Sequence, residues 1–277
     1  MTDNLFSAVA GAQSHFVAAG ANRIHYVTVG QGKPTLVFVH GWCCDLGFWR
    51  EQVPALADKA RLIFIDLPGH GQSDKPQMNY TMDSFAEAVL AVLRDAGVDK
   101  AAFIGHSMGG AVISRIYRHA PEKVAALVSV DGLLCRLAGT PAEGRALVSP
   151  FATPHYREHA AGFIRTMFPF PGAEALCEQI TSAMNATPQH VMLGGMLAML
   201  SPDQPDWILE KVNVPVLVIN ARSAWWNADY ENYVRSLSPQ TDYRVMEGAS
   251  HFLMLEKPAE FNALLTEMLQ KYDLIPK

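Results

Sequence analysis

Five short runs along the chain show no polar face: Thr35–Val39, Leu62–Ile65, Ala101–Ile104, Ala126–Val130 and Val216–Ile219. Runs of this length and β-rich composition read as strands buried on both sides, the habit of a parallel sheet covered by helices. Ahead of them, Arg23–Thr28 alternates in strand fashion and ends at the turn signal Gly30-Gln31-Gly32. Asp242–Met246 predicts one further strand. Helical segments lie between these runs. Phe85, Val89, Val92 and Leu93 recur at helical spacing, Ala111–His119 follows the Ala101 run until Pro121 stops it, and Ala259–Tyr272 is the final helix. Strand and helix in strict order predict an α/β fold with a mostly parallel central sheet flanked by helices.

That rhythm breaks between about Leu133 and Pro205. Helical patches replace strands there, at Tyr156–Phe168, Ala173–Met184 and Gln189–Leu200, punctuated by prolines including Pro141, Pro150, Pro169, Pro188, Pro202 and Pro205. After Trp207 the strand rhythm resumes. The expected organisation is a core in two parts, residues 1–132 and 206–277, with a helical insertion at 133–205 laid over it.

Composition narrows the class. With 277 residues, 49% of them apolar, the chain is long enough for one large domain with a sizeable core. A formal charge of −5 offers no footprint for nucleic acid or for a polybasic membrane patch. The longest apolar runs fall far short of the roughly 20 residues needed to cross a bilayer. Cys43, Cys44, Cys135 and Cys177 show no CxxC or Cys/His ligand spacing, which predicts reduced thiols rather than a disulfide framework or a metal site. The first basic side chain is Arg23, so the start lacks the basic and apolar stretches of a signal peptide. The expectation is a cytoplasmic, soluble protein.

The chemistry-bearing signal is Gly105-His106-Ser107-Met108-Gly109, followed by Gly110. A buried strand runs into it and a helix leaves it. In that setting a serine sits on a strained turn with its oxygen exposed, and the helix directs N–H groups and its positive end at developing negative charge. The flanking glycines are needed because side chains there would collide with the adjoining strand and helix. A serine nucleophile needs a base. Of ten histidines, His251 in Glu247-Gly248-Ala249-Ser250-His251-Phe252 follows the last predicted strand, in a loop able to reach Ser107.

Four motifs in this order give the chain its resemblance: His40-Gly41-Trp42, Asp66-Leu67-Pro68-Gly69-His70-Gly71-Gln72-Ser73-Asp74, Gly105–Gly110, and Gly248-Ala249-Ser250-His251-Phe252. Over nearly its whole length the sequence resembles the α/β-hydrolases of the esterase/lipase-like superfamily. The resemblance implies Ser107 as nucleophile, His251 as general base, and the backbone N–H groups of Trp42 and Met108 as the oxyanion hole. It implies that the helical insertion is a cap over the site. His40 and His106 become structural neighbours.

The acid departs from the family pattern. Relatives commonly carry it just after the strand matching Val216–Ile219, where this chain reads Asn220-Ala221-Arg222-Ser223-Ala224-Trp225-Trp226. Two aspartates keep the order of the triad. Asp131 ends the Ala126–Val130 strand, where some relatives, dehalogenases among them, place their acid; Asp229 lies downstream at an expected helix start. Asp131 is preferred because it stands on the rim where this fold class does its chemistry.

No motif argues for a metal, and the chemistry requires no cofactor. The insertion is rich in Met and Phe, among them Phe163, Met167, Phe168, Phe170, Met184, Met192, Met196 and Met199, which suits a small apolar acyl substrate. The expected activity is hydrolysis of a small apolar carboxylic ester or lactone through an acyl-enzyme on Ser107. The alternatives are carbon–carbon bond hydrolysis, perhydrolysis or cofactor-free oxygenation at the same site, or a slow-turnover ligand sensor.

Overall fold

The computed structural model describes Phe6 and residues 9–134, 141–200 and 212–277. Eight strands form one sheet: β1 (Gln13–Ala19), β2 (Asn22–Val29), β3 (Thr35–Val39), β4 (Arg61–Ile65), β5 (Ala101–His106), β6 (Val124–Val130), β7 (Val216–Ala221) and β8 (Asp242–Met246). Their spatial order is β1-β2-β4-β3-β5-β6-β7-β8. The β1–β2 and β2–β4 pairs are antiparallel, and every later neighbour is parallel.

Each expected strand lies within an observed one. The unbroken apolar runs have the environment they imply, since β3, β5 and β7 are buried at every position. One strand escapes the pattern. β1 sits at the sheet edge, pairs with β2, and is exposed or half-buried throughout, so its residues carry no apolar face to read.

Helices α1 (Val53–Leu56), α2 (Met82–Asp95), α3 (Met108–His119), α8 (Ala228–Leu237), α9 (Leu253–Glu256) and α10 (Pro258–Lys271) accompany the sheet. Thr81 starts α2 with a capping box, its hydroxyl accepting from the Ser84 N–H while Ser84 Oγ accepts from the Thr81 N–H. The stripe of Phe85, Val89, Val92 and Leu93 is fully buried.

Between β6 and β7 the described residues form helices and no strand. These are α4 (Pro141–Val148), α5 (Tyr156–Arg165), α6 (Glu174–Asn185) and α7 (Gln189–Met199). α5 stops three residues before the expected Phe168, which precedes Pro169 and is biased away from helical backbone. Cys135, Pro202, Pro205, Trp207 and the boundary at 205–206 lie outside the described residues. No helix among the described residues is long and apolar enough to cross a membrane.

The parallel run has a direct consequence for chemistry. β3, β5, β6, β7 and β8 all point the same way, so the segments that follow them emerge along one edge. His40-Gly41-Trp42, Ser107, Asp131 and the His251 loop are those segments.

Candidate active site

Ser107 occupies the bend between β5 and α3 with φ 52° and ψ −118°. A non-glycine residue in this region is strained and persists only where its surroundings hold it. They do so here through the backbone: Ser107 N–H donates to Val130 O (3.0 Å), and Ser107 O accepts from Gly110 N–H (3.0 Å) and Leu133 N–H (3.2 Å). The bend also requires its glycines. A Cβ at Gly105 would lie 2.3 Å from Gly109 O, and one at Gly109 would lie 2.3 Å from Val39 O. Ser107 remains partly open to solvent, while Met108 behind it is fully buried. The first-turn N–H groups of α3 precede its internal hydrogen-bond ladder and face the end of the helix where negative charge is favoured.

The segment after β3 forms a tight turn. Cys44 N–H donates to Gly41 O (3.2 Å), and Cys43 takes φ 56°. Cys43 N–H donates to Nε2 of His70 (3.3 Å), whose Nδ1–H donates to Pro68 O (3.0 Å). Burial pushes His70 down to about 3, so the ring stays neutral and keeps Nε2 as an acceptor. His40 serves a similar purpose: its Nδ1–H donates to Gly41 O (2.8 Å) and its Nε2 accepts from Leu67 N–H (3.0 Å). The Asp66 carboxylate braces the neighbouring loops, accepting from Leu46 N–H (2.8 Å), Gln72 N–H (2.9 Å) and His25 Nδ1–H (2.7 Å). Burial raises the Cys43 and Cys44 thiols well above the usual thiol range.

His251 follows β8 and Gly248, which takes φ 62°. Its Nδ1 lies 2.5 Å from Asp131 Oδ2. With Nδ1–H donating to the carboxylate, the neutral ring carries its free lone pair on Nε2. Asp131 is almost wholly buried at the end of β6, with φ 44°. Its other oxygen accepts from Ala221 N–H (2.7 Å), and its own N–H donates to Ile219 O (2.9 Å), so β7 fixes both backbone and carboxylate. The His251 main chain is held on two sides. Its N–H donates to Met167 O (3.1 Å), and its carbonyl accepts from His106 Nε2–H (2.9 Å). Burial, then the nearby His251, drives His106 well below the ordinary histidine range.

The structure therefore brings Asp131 and His251 together. Asp229 stands in the exposed first turn of α8, behind the Asn227 cap. The segment where relatives keep an acid holds Asn220, whose Nδ2–H donates to Tyr243 Oη (2.9 Å). Trp225 is 58% exposed, while Trp226 is buried against Tyr230. The bracing roles of His70, His106 and Asp66 are not evident in the sequence, because each depends on a main-chain partner in a distant segment. Only their place inside the four motifs marked them.

A family model described as the alpha/beta hydrolase fold matches residues 34–258. The chain is 28% identical to the dihydrolipoyllysine-residue acetyltransferase component of the acetoin cleaving system of Cupriavidus necator, over 94% of this chain and 70% of that protein. It is also 28% identical to the pimeloyl-[acyl-carrier protein] methyl ester esterase of Yersinia pestis, over 90% of this chain and 98% of that one. Among solved structures, the enol-lactonase from Burkholderia xenovorans superposes with a TM-score of 0.83 at 20% identity, covering 92% of this chain and all of the other.

Proposed function

The chain belongs to the alpha/beta hydrolase fold family, and from that premise we propose that this hydrolase is a serine enzyme that cleaves a small apolar carboxylic ester or lactone through an acyl-enzyme on Ser107. The observation that carries the proposal is the hydrogen-bonded pair of His251 and Asp131, on the same sheet edge as a serine held in a left-handed bend.

His251 Nε2 takes the Ser107 proton as Oγ attacks the carbonyl carbon. Asp131, fixed by Ala221 N–H, holds the imidazole in the needed tautomer and stabilises the imidazolium. The N–H groups of Trp42 and Met108 receive the negative oxygen, and a donor of this kind is worth about 10²–10³ in kcat. The leaving alcohol takes the proton from His251. Water, deprotonated by the same ring, then releases the acid and restores Ser107. No step calls for a cofactor.

The helices between β6 and β7 act as a cap in this reading. Val191, Met192 and Met196 of α7 are buried at the interface with the core, and Trp42 and Met108 are apolar neighbours, which favours a small apolar acyl group. The relative that is a methyl ester esterase supports a carboxylic ester as the bond cleaved. A cytoplasmic location accords with the free thiols of Cys43, Cys44 and Cys177.

The test is fluorophosphonate labelling with mass mapping, alongside turnover of short p-nitrophenyl esters by wild type and Ser107→Ala. Label on Ser107 and loss of turnover in the variant are expected. Label elsewhere, or undiminished turnover, removes the mechanism.

A further inference from the structure

We propose that the Trp42 side chain is a positioning residue, a latch through which α7 sets the direction of the Trp42 backbone N–H. The inference rests on the reading of that N–H as an oxyanion donor and goes beyond it to the indole. Trp42 Nε1–H donates to Met192 O at 2.7 Å, in the interior of α7. The bond is buried, and it ties the turn after β3 to a helix 150 residues away in the chain. A helical carbonyl has a second lone pair for such a donor. A bulky side chain one turn further on normally keeps a ring away from it.

Here that obstacle is missing. Residue 195, three positions after Met192, is glycine, and a Cβ there would lie 2.9 Å from Trp42 Cδ1 and 3.8 Å from Met108 Sδ. Glycine is among the poorest residues for a helix interior, so a glycine at this point of α7 calls for a packing reason. The close approach of the indole supplies it. On its other sides the ring meets Phe151 and Phe163 edge to face, with centroids 5.3 and 5.9 Å away. The indole is therefore held in both orientation and depth. The backbone next to it is a turn with a left-handed residue at Cys43, a conformation that needs support from outside the turn. Through the latch, the seating of α7 and the aim of the Trp42 N–H are one event.

Trp42→Phe keeps an aromatic ring and removes the donor. For the purified full-length protein, kcat on p-nitrophenyl acetate is expected to fall about tenfold with KM within about twofold, because a misplaced donor weakens the transition state more than the bound ester. The preference between acetyl and butyryl esters is retained, which separates the latch from a ring that only fills space. Amide hydrogen exchange across residues 189–199 accelerates in the same variant. Gly195→Ala, which presses on the indole from the helix side, is expected to lower kcat in the same way and serves if Trp42→Phe does not fold. The proposal is overturned if kcat stays within about twofold of wild type, if the loss is confined to acyl-length preference, or if exchange across α7 is unchanged. The exchange measurement needs no turnover, so an inactive wild type would count against the esterase reading while the latch was still tested.

Discussion

Asp131 and His251, 120 residues apart in the chain, meet through a 2.5 Å hydrogen bond between Oδ2 and Nδ1. The pair assembles because β6 and β8 end on the same edge of the sheet, and because the Ala221 N–H at the end of β7 holds the second carboxylate oxygen between them. In the proposed mechanism an acid carried on β6 takes the place that the resemblance puts after β7.

Asp131→Asn is therefore expected to lower kcat by about 10⁴, as loss of the triad acid does in serine proteases. Asp229→Asn, an exposed change on α8, is expected to stay within about twofold. Steady-state kinetics on a short p-nitrophenyl ester decide it. A comparable loss in both variants, or none in the first, defeats the assignment.

His70 links stability to pH. Its folded value of about 3 lies below the ordinary 6.5, so between those limits the unfolded chain binds the extra proton. Stability is then full above about pH 6.5 and is lost as pH falls, at up to about 1.4 kcal/mol per pH unit for this group. Urea melts from pH 7 to 4 should show that decline. His70→Gln, with no titrating ring, should make the slope shallower, while buried His40 and His106 keep their own shares; an unaltered slope would mean that His70 is not one of its sources.

Two glycines should respond to alanine in opposite ways. At Gly105 the new Cβ meets Gly109 O at 2.3 Å, and a loss of more than about 3 kcal/mol is expected. At Gly162, inside α5, a Cβ meets nothing within 4 Å, and a gain of up to about 1 kcal/mol is expected. Chemical denaturation measures both, and a stable Gly105→Ala would contradict the packing of the bend.

Thiol chemistry should follow burial. Cys43 and Cys44 are buried with raised thiols, whereas Cys177 is half-buried. Iodoacetamide at pH 8, followed by mass mapping, should modify Cys177 well before either of the others. Faster labelling at Cys43 would show that the turn after β3 opens in solution.

Much of this protein was open to reading from the order of its residues. Five apolar runs disclosed the central strands, because a sheet covered by helices demands side chains of one kind throughout, and two more strands were read from Arg23–Thr28 and Asp242–Met246. Glycines around Ser107 disclosed the bend, because no other residue fits there. β1 left no such trace, being an edge strand without an apolar face. Asp131 was preferred to Asp229 in the sequence only for its place at a strand end. Both preserve the chain order of a triad, and only the packing of β6 beside β7 puts one carboxylate against His251 and leaves the other in solvent. The carbonyls of Met167 and Met192 were wholly beyond sequence. A main-chain oxygen is the same atom in every residue, so which one receives His251 N–H or the Trp42 indole is settled by where the helices come to rest on the core.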